Sequence, residues 1–256
     1  MLPVDLIVLA GGRGSRLGGA LKPAVEVAGR TLLSRVLDAR GFARNAVVVG
    51  PPAAQPAATA PVSVPVSAPV SVSVSVPVSA PVSAPVSVPV PAQSQVRAFP
   101  PLIWALEDPP FGGPVAGLAA GLAALDTHAG NEPHEKTTDG WVLVLACDLP
   151  WGADAARLLV QAASTLDADG VHLVDDTGHA QWLAAIYRAS ALRAAVARLG
   201  NKVNGASMRE LLAGLNLDGL LDQSDAGTDV DTWQDVESSI ARLTGAHQPD
   251  PRSDPE

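Results

Sequence analysis

Four short runs constrain this chain more than anything else in it: VDLIVLA (4–10), NAVVVG (45–50), PLIWALED (101–108) and WVLVLACD (141–148). Their apolar residues follow one another with almost no polar alternation, so strands built from them have no face to give to water. Such strands belong inside a parallel sheet covered on both faces, and parallel neighbours need crossover connections, usually helices. Helical patterns lie between and after the runs. GRTLLSRVLDAR (29–40) puts Leu32, Leu33, Val36 and Leu37 on one face, and GPVAGLAAGLAAL (113–125) reads as a small-residue helix with Pro114 in its first turn. AARLLVQAAS (155–164), SALRAAVARLG (190–200), SMRELLAGL (207–215) and WQDVESSIARL (233–243) complete the helices. GVHLV (170–174) is a further strand, and QWLAAIYR (181–188) fits a strand or a short helix. The expected fold is α/β, a Rossmann-like, mostly parallel sheet with helices on both faces.

One segment does not fit that frame. From Pro51 to about residue 97 the chain alternates valine with serine or proline, and no charged residue occurs between Arg44 and Arg97. The two-residue period imitates a strand, but proline recurs too often for a hydrogen-bonded ladder. The segment reads as a disordered insertion into one domain spanning residues 1–245, with 246–256 a disordered tail. A short loop in place of residues 53–96 is expected to leave folding and catalysis intact, because closure cost changes slowly with loop length.

The net charge of −9 excludes a general nucleic-acid binder, which needs a basic face, so any anion site is local. A single cysteine, Cys147, excludes an internal disulfide, and no Cys/His spacing suggests zinc. The first apolar run is too short for a membrane span or a signal segment, so a cytoplasmic protein with no membrane partner is expected, a monomer or weak oligomer.

Ligands in open α/β sheets bind beyond the carboxyl ends of the strands. There the first run opens into LAGGRGSRLGGALKP (9–23), with five glycines and the cations Arg13, Arg16 and Lys22. The loop lacks the third glycine of a dinucleotide fingerprint and the Gly-Lys-Ser/Thr ending of a P-loop. What remains is suited to wrapping a triphosphate in backbone amides and cations. The Glu107–Asp108 pair and Asp148 stand at the same edge, and Asp108 and Asp148 each end an apolar run. An acid beside phosphates is repelled unless a cation mediates, which argues for Mg²⁺. Asp148 could instead be an N-cap or turn residue before Pro150, and Asp108, before Pro109-Pro110, could equally be structural. Asp229 and Asp231, two apart in TDVDTWQDV (228–236), could both face the same metal, although Asp231 could instead cap the helix that follows. Cys147 reads as a small buried residue. Trp182 and Tyr187 read as core residues, with stacking on a substrate ring the alternative.

These pieces together resemble a known family. LAGGRGSRLGG followed by Lys22-Pro23 resembles the signature of nucleotidyltransferases that make nucleotide-activated sugars and cofactors. LEDPPFGGPVAGLAAGL (106–122), LACDLPW (145–151) and TDVDTWQDV resemble, in order, three further elements of molybdenum cofactor guanylyltransferases. The resemblance implies the nucleotide-diphospho-sugar transferase type of fold and transfer of GMP from GTP to molybdopterin, with release of pyrophosphate and Mg²⁺ as cofactor. It implies that Leu9, Ala10, Gly11 and Gly12 hold the nucleotide through backbone groups, that Lys22 binds phosphate, and that Asp108 holds the guanosine end. It gives the magnesium to Asp148, to which the reading of the 229–231 stretch adds Asp231 as a second metal ligand; Arg16, Lys22 and Asp148 are the expected catalytic groups. Where that family often carries an asparagine after the second strand, this chain has Gly50. A cytidylyltransferase of the same cofactor, another phospho-acceptor nucleotidyltransferase, or a catalytically silent protein whose insertion recruits partners remain the alternatives.

Overall fold

The computed structural model describes residues 2–11, 17–59, 99–131 and 140–245. The four runs form β1 (Val4–Leu9), β4 (Asn45–Val49), β5 (Leu102–Ala105) and β6 (Trp141–Ala146), all mutually parallel. With β7 (Gly170–Val174), β8 (Ala180–Arg188) and β9 (Leu217–Leu221) they make one sheet in the order β5-β4-β1-β6-β8-β7-β9. Only β8 runs antiparallel to its neighbours, and it resolves the ambiguity at 181–188 in favour of a nine-residue strand. β9 escapes sequence pattern because LDGLL carries a charge and a glycine. As an edge strand paired only with β7, it can keep both.

Alternate residues of the central strands feed two cores. Leu6, Val8, Leu143 and Leu145 pack with Leu33, Val36 and Leu159 on one face, brought by α1 (Leu32–Val36) and α4 (Gly152–Ala163). Ile7, Leu9, Val47 and Val144 pack with Leu118, Leu192 and Leu211 on the other, from α3 (Pro114–Asn131), α5 (Ala189–Leu199) and α6 (Met208–Leu212). Helices therefore cover both faces of a mostly parallel sheet, as the apolar runs require. Close seating of α3 depends on Gly121, where a Cβ would lie 2.8 Å from Ile7 Cγ2.

The single helix expected over 29–40 is divided. A small hairpin of β2 (Glu26–Val27) and β3 (Arg30–Thr31) precedes α1, because Thr31 is extended and its hydroxyl accepts the Ser34 amide as an N-cap. A 3₁₀ stretch, Leu37–Phe42, follows. The boundary expected at Pro51 also moves. Pro52–Ala54 and α2 (Gln55–Ala58) are helical, Ala54 and Ala57 are buried, and the Thr31 hydroxyl donates to the Ala57 carbonyl at 2.6 Å. A shortened loop must therefore replace residues 60–97 rather than 53–96. That variant is expected to express in soluble form and keep wild-type turnover; insolubility or inactivity would make the replaced segment a packed or partner-bound part of the protein. The remaining expectations for 60–98 and 246–256, like those for Gly12 and Arg16 of the glycine loop, lie outside the described residues.

Candidate active site

The sheet order reverses between β1 and β6, since the chain places β4 and β5 on one side of β1 and β6 on the other. Such a switch point opens a crevice beyond the strand ends. There a cavity of about 340 Å³ is lined by Leu9 and Gly11 after β1, Glu107 after β5, Gly113 and Gly117 at the start of α3, and Asp148 after β6. Continued backbone pairing holds its floor: the Cys147 amide donates to the Leu9 carbonyl at 3.0 Å and the Ala10 amide to Val49 at 2.7 Å. Gly50 is needed here for space, because a Cβ would lie 2.9 Å from that of Ala10.

At the β6 side of the cavity the chain gathers an acid cluster. Asp148, Asp229 and Asp231 each offer a carboxylate oxygen, all within 4.8 Å of one another. Lys22 reaches into the group, its Nζ 2.6 Å from Asp148 Oδ2 and 2.5 Å from Asp231 Oδ1. Burial lowers the Lys22 pKa, but attraction and hydrogen bonding from Asp148 and Asp231 outweigh it and hold the ammonium well above its ordinary value. Asp229 keeps an exposed edge, yet partial desolvation, followed by the charges of Asp148 and Asp231, raises its carboxyl pKa.

Residues so distant in sequence meet for local reasons. Lys22 opens a 3₁₀ turn, Lys22–Ala24, fixed by Pro23. Leu17, Val25, Val27 and Leu32 pack with Val230 and Val236 in a third small core, joining the β1 loop and hairpin to the start of α7 (Trp233–Thr244). The Val230 amide donates to the Asp148 carbonyl at 3.0 Å, tying the 229–231 segment to the end of β6. The cap of α7 is Thr232, in a reciprocal capping box with Asp235, which leaves the Asp231 side chain to Lys22. Asp235 also accepts the Asp231 amide at 3.0 Å.

A cation fits this cluster. Asp148 Oδ1 is buried and has no hydrogen-bond partner among the described residues, and three carboxylates this close carry more negative charge than the one Lys22 ammonium offsets. Asp148, Asp229 and Asp231 are an oxygen-only donor set of the kind that suits a hard divalent ion.

Other residues take different places. Asp108 is exposed and does not line the cavity, whereas its neighbour Glu107 does. Sequence reading placed the Glu107–Asp108 pair at the ligand edge but gave the role to Asp108, because two adjacent acids at a strand end look alike in one dimension. Cys147 is buried, and desolvation, then the charge of Asp148, pushes its thiol far up, so it is no nucleophile. Tyr187 is fully buried and its hydroxyl donates to the Trp182 carbonyl at 2.9 Å, which makes it a core residue.

Comparison with known proteins agrees with this fold. The chain is similar in structure to molybdopterin-guanine dinucleotide biosynthesis protein A from Archaeoglobus fulgidus, at 17% identity and a TM-score of 0.57 over 94% of this chain and 99% of that one. It is similar to a nucleotidyl transferase from Methanothermobacter thermautotroptrophicus (15%, TM-score 0.58, 96% and 99% covered). It is also similar to 2-C-methyl-D-erythritol 4-phosphate cytidylyltransferase from Thermus thermophilus (16%, TM-score 0.53, 95% and 100% covered). At these identities the likeness is one of fold. No curated protein matches the chain by sequence. The MobA-like NTP transferase domain family, however, matches residues 6–73 and 76–219, carrying both the glycine-rich strand end and Asp148. The chain belongs to the MobA-like NTP transferase family and is a nucleotidyltransferase.

Proposed function

We propose that the protein transfers GMP from GTP to molybdopterin, with Mg²⁺ as cofactor and pyrophosphate as the other product. The observation that carries the reading is the Asp148–Asp229–Asp231 cluster with Lys22 at the edge of the cavity, at the carboxyl ends of β1 and β6. The three carboxylates would hold Mg²⁺, which when bound neutralises phosphate oxygens and favours departure of pyrophosphate. The chain itself supplies position and charge. Backbone groups from Leu9 to Gly11 face the nucleotide, and Lys22 offsets charge on the phosphates once they compete for its ammonium. A phosphate oxygen of the acceptor bonds to the α-phosphorus as the α–β bridging P–O bond breaks, and pyrophosphate leaves with the electron pair.

Molybdopterin as acceptor is supported by the order of the four sequence elements and by the A. fulgidus neighbour. A cytoplasmic setting, without nucleic-acid or membrane partners, belongs to the same reading; among the described residues no helix is long and apolar enough to cross a membrane. The test is release of pyrophosphate from GTP and Mg²⁺ with and without molybdopterin. Release is expected only when both are present. Equal release with a phosphosugar would overturn the acceptor, and release from CTP but not GTP would make the protein a cytidylyltransferase.

A further inference from the structure

Among the described residues two charged side chains line the cavity, and the reading above uses only one of them. Asp148 belongs to the acid cluster; Glu107 does not. Glu107 Oε2 is buried with no hydrogen-bond partner among the described residues. Its other oxygen, Oε1, lies against the glycine loop, 3.3 Å from where a Cβ on residue 11 would be. A buried carboxylate oxygen left unpaired is costly, so a carboxylate kept there is one that a ligand satisfies.

The sheet sets the spacing. Glu107 and Asp148 each stand two residues beyond the end of their strands, and in the order β5-β4-β1-β6 those strands are three positions apart. Three strand spacings are about 14 Å, the scale of a nucleoside triphosphate from base edge to phosphates. If the Asp148 end receives the phosphates, the Glu107 end meets the base. Just past the end of β4, between them, Gly50 brings no side chain that could compete.

We propose that Glu107 selects the nucleobase by accepting two adjacent N–H donors, the N1–H and 2-amino groups of a guanine edge. This rests on the nucleotidyltransferase reading of the cavity. An ionised carboxylate only accepts, through two oxygens side by side. Among the common bases guanine alone presents two neighbouring donors on its pairing edge. Cytosine and adenine set an amino group beside a ring-nitrogen lone pair, and uracil flanks its single N–H with carbonyls. Each of these turns at least one lone pair towards the carboxylate, and a buried mismatch of that kind discriminates strongly.

The experiment compares Mg²⁺-dependent binding of GTP, ITP, CTP, UTP, ATP and pyrophosphate to the wild-type chain and to Glu107→Gln, by thermal shift and titration. In the wild type GTP is expected to bind tightest and ITP, which lacks the 2-amino group, about tenfold more weakly. Glu107→Gln is expected to weaken GTP by about a hundredfold and to close its gap to CTP. Pyrophosphate, which reaches only the phosphate end, is expected to bind both proteins alike. If the wild type prefers another triphosphate, or the variant keeps its preference for GTP, the assignment of Glu107 fails while the nucleotidyltransferase reading stands. If neither triphosphates nor pyrophosphate bind, both fall. Should the variant not fold, equal wild-type affinities for GTP and CTP would still overturn the proposal.

Discussion

Asp148→Asn is expected to lower Mg²⁺-dependent turnover by on the order of a thousandfold while the protein still folds, the scale of losing a main charge-stabilising group. The geometry explains both halves. Asp148 Oδ2 is 2.6 Å from Lys22 Nζ, and Oδ1 is buried without a partner among the described residues. The amide preserves shape and removes the charge that both Lys22 and a metal need. The fold keeps its other ties: Lys22 still pairs with Asp231 at 2.5 Å, and the Val230 amide still bonds the residue 148 carbonyl. A capping role would give the opposite result, a loss of about 1 kcal/mol of stability with activity kept. The structure already disfavours it, since α4 begins after Trp151 with no side-chain cap. Melting temperature and pyrophosphate release on this one variant separate the two outcomes, and a stable, fully active variant would remove Asp148 from the chemistry.

Lys22→Ala is expected to cost about a hundredfold in turnover even at saturating Mg²⁺, because a cation beside the phosphates is gone in the transition state. It should also change how the resting protein responds to metal. The Lys22 ammonium lies between Asp148 and Asp231, and without it three carboxylates within 4.8 Å of one another lose the positive charge it supplies. The variant should therefore melt lower than wild type in chelator and gain more from added Mg²⁺, since binding stabilises the folded state by mass action. Turnover equal to wild type at saturating Mg²⁺ would confine Lys22 to pairing the acids. An unchanged response to Mg²⁺ would mean that the cluster holds no metal.

Much of this was legible in one dimension. The nearly continuous apolar runs 4–10, 45–50 and 141–148 fit only strands buried on both faces, and burial on both faces demands helices above and below. The turn into glycine after the first run, and an acid directly after the most apolar one, marked the edge where the cavity opens, because a strand's end is where its backbone leaves the sheet. Tertiary structure decided what short-range pattern cannot encode. Lys22 and Asp231 are 209 residues apart and meet only because Val25, Val27 and Leu32 bury against Val230 and Val236. β9 exists because β7 offers it a free edge, not because LDGLL prefers to be a strand. Of the adjacent acids Glu107 and Asp108, the sequence favoured the second and the fold turned the first into the cavity. The order of residues along the chain decides which types stand at a strand end. Which of two neighbours faces inward depends on the direction in which the backbone leaves the sheet, and only the packed chain sets that.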